Sequence, residues 1–164
     1  MKKITAKIIA AIMAILMLAS FAGCGLLEQI SYDVDGLSIT LPVGMYEIEA
    51  VDFNKVLTDN NITVYFYRDT FEELAEVELD QISIEEFAEL YAMDNEIPNP
   101  YTADANGNLV TTYNVYFEGT NLYNFDTVRK SSDSFWNISF TCADSDKDKY
   151  ADKFVEWANT IVVD

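Results

Sequence analysis

Between Leu109 and Cys142 three alternating runs, Leu109 to Phe117, Leu122 to Arg129 and Phe135 to Cys142, are separated only by Glu118-Gly119-Thr120-Asn121 and Ser131-Ser132-Asp133-Ser134. Connections this short join antiparallel neighbours, because a parallel crossover needs a dozen residues or more. The runs therefore predict an antiparallel meander. Asn106-Gly107 just upstream is the strongest hairpin-turn signal in the chain, since both residues tolerate the positive φ that tight turns require.

The rest of the chain alternates strand and helix patterns around this meander. Gly36 to Pro42 alternates apolar and polar residues and stops at a proline, as a half-buried first strand does, and Met45 to Val51 is the partner expected for it. After Asn60-Asn61, Ile62, Val64 and Phe66 face one way and Thr63, Tyr65 and Tyr67 the other, which predicts an interior strand with bulk on both faces. Ser83-Ile84-Glu85-Glu86 is a capping box that starts a helix with Ile84, Phe87, Ala88 and Tyr91 on one face, ended before Pro98 and Pro100. Thr70-Phe71-Glu72-Glu73 repeats the grammar for a shorter helix. A last helix, capped by Asp144 or Ser145, carries the stripe Tyr150, Phe154, Trp157, Ala158, Ile161 and is expected to cover the sheet. These elements define an α+β domain, an antiparallel β-sheet packed against helices that include a C-terminal amphipathic helix.

The N-terminus carries a different message. Lys2-Lys3 precede the uncharged run Ile8 to Leu18, and small residues follow up to Cys24. This is the order of a secretory signal, and the run is short of the roughly 20 apolar residues that span a bilayer. Phe21-Ala22-Gly23-Cys24 resembles a bacterial lipobox, departing from its commonest form where Phe21 stands in place of leucine. The resemblance implies cleavage before Cys24 and a diacylglyceryl group on its thiol, a durable two-chain anchor. The expected organisation is a signal peptide over 1–23, a lipidated tether over 24–35 and a single domain over 36–164.

With the leader gone, the net charge of −18 falls by three, to −21, because Lys2, Lys3 and Lys7 leave and no acid precedes Cys24. Seven basic residues, Lys55, Arg68, Arg129, Lys130, Lys147, Lys149 and Lys153, face 28 acids, which excludes a nucleic-acid binder that works through phosphate contacts. The chain has no histidine, which removes Ser/His/Asp and Cys/His catalysis and the commonest zinc ligand. Cys142 is the only thiol left beside Cys24, and its place in the run with Trp136, Ile138 and Phe140 points to the core. There is no glycine-rich phosphate loop. No catalytic residue, cofactor or metal site is expected, and the chain does not read as an enzyme.

The strand Leu37-Ser38-Ile39-Thr40-Leu41-Pro42, the strand Phe135-Trp136-Asn137-Ile138-Ser139-Phe140 and the closing Trp157-Ala158-Asn159-Thr160-Ile161 are together similar to the PsbP-like domains, including the DcrB-like lipoproteins. That resemblance implies an accessory or assembly role without catalysis. The expected function is a membrane-anchored extracytoplasmic lipoprotein of the cell envelope that binds an envelope protein or a small ligand. The alternative is an extracytoplasmic solute- or calcium-binding module. For calcium, Asp144-Ser145-Asp146-Lys147-Asp148 begins like an EF-hand loop, but Lys149 stands at its glycine position and Val155 at its glutamate position. Asp104-Ala105-Asn106-Gly107-Asn108 is accounted for by its turn. Asp69 to Glu96 holds 11 acids and no Lys or Arg. The candidate partner surface combines Glu72, Glu73, Glu85 and Glu89 from this stretch with a tyrosine face of Tyr65, Tyr67 and Tyr116, flanked by Thr63 and Thr112.

Overall fold

A computed structural model describes residues 28–117 and 119–164; the signal peptide expected over 1–23 and Cys24 lie outside the described residues. Ten strands run in chain order as β1 Gln29–Val34, β2 Leu37–Pro42, β3 Tyr46–Glu47, β4 Lys55–Thr58, β5 Ile62–Thr70, β6 Thr102–Ala103, β7 Leu109–Phe117, β8 Thr120–Lys130, β9 Ser134–Ala143 and β10 Val162–Val163. The helices are α1 Phe71–Ala75, α2 Ile84–Asp94 and α3 Lys147–Ala158, the last entered through a single 3-10 turn at Asp144–Asp146.

A seven-stranded sheet of order β3-β4-β5-β9-β8-β7-β6 has only antiparallel pairs, and a small sheet of order β1-β2-β10 packs beside it. The meander is present as β7-β8-β9. Its first turn is tight: Phe117 pairs with Thr120, and Gly119 takes φ +92°, a conformation that favours glycine. β5 is interior, between β4 and β9. Asn106-Gly107 sits in the loop that joins β6 to β7, where Ala103 pairs with Leu109.

Register assigns the faces. Leu57, Val64, Phe140 and Phe125 are paired in succession across β4, β5, β9 and β8, so they share one face. Against it α3 lays Tyr150, Phe154, Trp157 and Ala158, and the small sheet adds Val34, Leu37, Ile39 and Leu41, all in one buried cluster. The C-terminal end of α3 is fixed from the sheet: Arg129 Nη2 donates to the Ala158 carbonyl at 3.1 Å, a cationic cap where the helix dipole is negative. Cys142 is fully buried in the same cluster, and burial, with Asp146 and Asp144 nearby, pushes its thiol up to about 12.

α1 and α2 cover the opposite face through a smaller cluster of Leu74, Phe87, Ala88, Val128 and Phe135, with the Phe87 and Phe135 rings stacked at 4.5 Å. Both expected capping boxes form. Thr70 Oγ1 accepts from Glu73 N–H while Glu73 Oε2 accepts from Thr70 N–H, and Ser83 and Glu86 repeat the exchange. Both helices end without glycine. Leu79 N–H reaches back to Leu74 and Ile97 N–H to Ala92, with Glu78 at φ +62° and Glu96 at φ +54° in the left-handed position where glycine is usual.

Four sequence expectations are corrected. The tether expected over 24–35 contains strand β1, paired with β2 from Gln29↔Pro42 to Val34↔Leu37, so ordered structure begins by Gln29. The partner of β2 is β1 on one side and β10 on the other, whereas Tyr46–Glu47 pairs with β4 in the large sheet. The cap expected on the last helix is absent, because the chain enters α3 through the 3-10 turn and Asp144 Oδ1 instead accepts from Asn114 Nδ2. The last helix, expected to cover the sheet, covers one face of it, the apolar one.

Candidate functional site

The face under α2 is unusual in its chemistry. Residues opposite one another in an antiparallel ladder project to the same side, so Asp126, Ser139 and Tyr65 form one rung, and Asn124, Thr141, Thr63 and Thr58 the next. Tyr67 and Asn137 form the rung beyond, and β7 adds Thr111 and Tyr113 at the side. This polar row is covered. Asp126 is 1% exposed and Tyr65 3%, and Asn124, Asn137, Thr58, Thr63 and Thr141 are buried with them.

Burying such groups is unfavourable unless each finds a partner. Thr141 Oγ1 donates to Asn124 Oδ1 at 2.7 Å, Asn137 Nδ2 to Tyr101 Oη at 2.8 Å, and Tyr113 Oη to Asp126 Oδ2 at 3.0 Å. Among the described residues three atoms of the same two rungs find no hydrogen-bond partner: Asp126 Oδ1, Asn124 Nδ2 and Tyr65 Oη. Burial pushes the Asp126 carboxyl up to about 6, against the pull of the Ser139, Tyr113 and Tyr101 hydroxyls. Burial, and then the charge of Asp126, raise the phenols of Tyr91, Tyr101 and Tyr113 well above their usual range. At the row's end Tyr67 Oη donates to Asp69 Oδ1 at 3.0 Å, and burial raises both groups. The row can hold or release a proton near Asp126.

The residues picked out from the sequence do not converge here. Tyr65 is covered by the Phe53 ring at 5.0 Å and Tyr67 lies against Tyr91 at 5.8 Å, so neither offers an open surface. Tyr116 is 71% exposed but on the other side of the sheet, because it and Thr112 alternate with Tyr113 and pair with Asn121 and Phe125. The tyrosine face expected from Tyr65, Tyr67 and Tyr116 is therefore not one surface. Glu72, Glu85 and Glu89 are exposed on α1 and α2, and Glu73 is held in its capping box, which lowers its carboxyl.

For cations, Asp104 accepts from the Asn106 and Asn108 backbone N–H groups and from Asn108 Nδ2, so its oxygens serve the turn. Among the described residues no group of three or more His, Cys, Asp or Glu is placed to hold a metal ion. No helix among them is long and apolar enough to cross a membrane. Asp126 was missed in the sequence, where an acid in an alternating strand reads as its solvent side. The available signal was that the facing positions of β5 and β9 also carry polar residues.

The layered arrangement is a PsbP-like α+β fold. The chain is similar in structure to the cyanobacterial PsbP (CyanoP) from Synechocystis sp. PCC 6803, whose solution structure aligns with 90% of this chain and 99% of that one at 12% identity and a TM-score of 0.50. No protein-family profile and no curated protein sequence matches the chain.

Proposed function

We propose that the chain is an extracytoplasmic lipoprotein, anchored by a diacylglyceryl group on Cys24, whose PsbP-like domain binds or supports another component of the cell envelope without catalysis. The observation that carries this reading is the lipobox-like Phe21-Ala22-Gly23-Cys24 behind a short apolar run, placed directly before a domain of this fold. The side offered to a partner is acidic: Glu72, Glu85 and Glu89 are exposed on α1 and α2, and Glu76 at the C-cap of α1, and this field attracts a cationic surface. Replacing Cys24 with Ala is expected to move the protein from the membrane to the soluble fraction; retention in the membrane would refute the anchor. Cross-linking in the native cells, followed by purification, is expected to enrich one partner, and Glu72→Lys with Glu85→Lys and Glu89→Lys to lose it.

A second reading, a small-solute module, is favoured by the three orphaned atoms on Asp126, Asn124 and Tyr65. A rise in melting temperature with a neutral sugar or amino acid that vanishes in Asn124→Leu supports it. No shift with either class of solute excludes it.

A further inference from the structure

Several turns of the two sheets, and the C-terminus, gather at one of two ends. β1 starts at Gln29 beside Pro42, and the ladder continues outward where Val43 N–H donates to the Glu28 carbonyl at 2.7 Å. Tyr46 follows on β3 and bonds through its hydroxyl to Asn60, in the turn that closes β4 and β5. α3 also starts at this end, after Ala143. The other end holds the Asp35-Gly36 turn, and two backbone bonds tie it to the β8–β9 turn: Asp164 N–H to the Gly36 carbonyl at 3.1 Å, and Ser132 N–H to the Asp164 carbonyl at 2.9 Å. α1 joins that second end through Phe71 N–H to the Asp133 carbonyl at 2.8 Å.

The first end carries exposed apolar groups where a water-facing rim would be polar. Ile30 is 46% exposed, Val43 47% and Tyr46 44%. Ile30 is paired with Leu41, so Val43 is its diagonal neighbour. Charges nearby are mostly acidic: Glu28 and Glu47 are exposed beside Val43 and Tyr46, with Glu47 paired to Lys55, and Lys147 and Lys149 lie over the Tyr123 and Tyr150 rings among Asp144, Asp146 and Asp148. The second end has Glu72 and Glu73 of α1 with Glu76 at its C-cap, Asp133 paired to Arg68 at 2.7 Å, and the separate exposed residues Val77 and Val162.

The length of chain before the domain selects what covers the apolar end. From Cys24 to Glu28 the backbone spans at most about 14 Å when fully extended. An anchor at Cys24 therefore holds this end within reach of the headgroups, whereas the Gly36 end lies a further strand length away, roughly 20 Å over β1. Apolar and tyrosine side chains partition into that interfacial layer. We propose that the Ile30, Val43 and Tyr46 end of the domain rests in the headgroup region of the membrane and that the α1 end points away from it. This rests on the lipoprotein reading above and adds to it the orientation and the membrane-contact surface.

The test uses full-length protein purified from membranes and reconstituted in phosphatidylcholine vesicles. Cys142 is fully buried, so an environment-sensitive fluorophore reacts selectively with a thiol introduced by Val43→Cys, Ile30→Cys or Ser132→Cys. With brominated lipid in the vesicles, emission at positions 43 and 30 is expected to fall several-fold more than at 132. Two probes keep the test valid if one substitution disturbs the fold. Vesicle-bound protein with equal, weak quenching at all three positions overturns the orientation and leaves the anchor standing. Protein that does not float with vesicles overturns both. Blue-shifted emission at 43 in the Cys24→Ala background without vesicles means that a second copy of the chain covers the end, which also overturns the proposal.

Discussion

Replacing Asp126 with Asn should make the protein more stable, and by an amount that depends on pH. The carboxyl is 1% exposed and burial raises it from 3.8 to about 6, so the folded protein holds a proton that the unfolded chain has released between those values. Stability therefore falls as pH rises from about 4 to about 6, then stays at the lower level. A shift of about two pH units corresponds to roughly 3 kcal/mol at pH 7.5. The amide cannot ionise, and its oxygen still accepts from Tyr113 Oη, which lies 3.0 Å from Asp126 Oδ2. For a domain of this size about 3 kcal/mol corresponds to roughly 10 °C in melting temperature. Urea unfolding followed by the emission of the buried Trp136 and Trp157 from pH 4 to pH 8 measures it. Self-repulsion of an acidic chain also weakens the wild type as pH rises, but it is nearly common to both proteins and cancels in their difference. That difference should grow from pH 4 to pH 6.5 and then level. A flat difference, or a variant that loses more stability at pH 7.5 than at pH 4, would show that Asp126 is ionised and held by its hydroxyl neighbours, which refutes the reasoning.

Phe154→Ala empties the point where the Tyr123, Phe140, Tyr150 and Trp157 rings meet and should cost about 3 to 5 kcal/mol by urea unfolding; a loss below 1 would contradict the packing of α3. Glu78→Gly and Glu96→Gly relieve left-handed strain at the ends of α1 and α2 and should each stabilise by about 1 kcal/mol, seen as a higher urea midpoint with unchanged slope. Cys142, fully buried with its thiol raised to about 12, should resist an aromatic disulfide reagent at pH 8 and react on unfolding; rapid native reaction would place it outside the core.

Parts of the fold legible in the sequence were those written in several consecutive residues. The β7-β8-β9 meander shows its alternation over whole strands, and the Thr70–Glu73 and Ser83–Glu86 boxes are local hydrogen-bond exchanges that need no tertiary context. β3, β6 and β10 are two residues long, too short for any period, and exist only because a longer neighbour offers an edge. β1 has the alternation Ile30, Tyr32, Val34, but lying directly behind the lipobox-like segment it read as linker. The ends of α1 and α2 lack the glycine that marks such a stop, since Glu78 and Glu96 occupy the left-handed position. The candidate site failed for a related reason. Alternation says that Thr63, Tyr65 and Tyr67 share a face, whereas only the register with β9 and β8 shows that Asp126 shares it, and only the path of α2 shows that it is covered.

The two faces of the large sheet are held by unequal means, and this decides where the domain can yield. On the apolar face α3, the small sheet and the β5-β9-β8 strands form one cluster, in which Arg129 ties the end of α3 back to β8. β1, the strand next to the proposed anchor, belongs to that cluster through Val34 and Tyr32. On the other face α1 and α2 rest on a handful of side chains around Phe87 and Phe135, beside a polar row that keeps three atoms unpartnered. Local opening is least costly where apolar contacts are few, which is the side bearing Glu72, Glu85 and Glu89. Lifting α2 would hydrate Asp126 and let it ionise, so the acidic surface proposed for a partner and the proton on Asp126 are coupled through the same helix. A partner that clamps α2 keeps the proton bound, and one that lifts it releases the proton near pH 6.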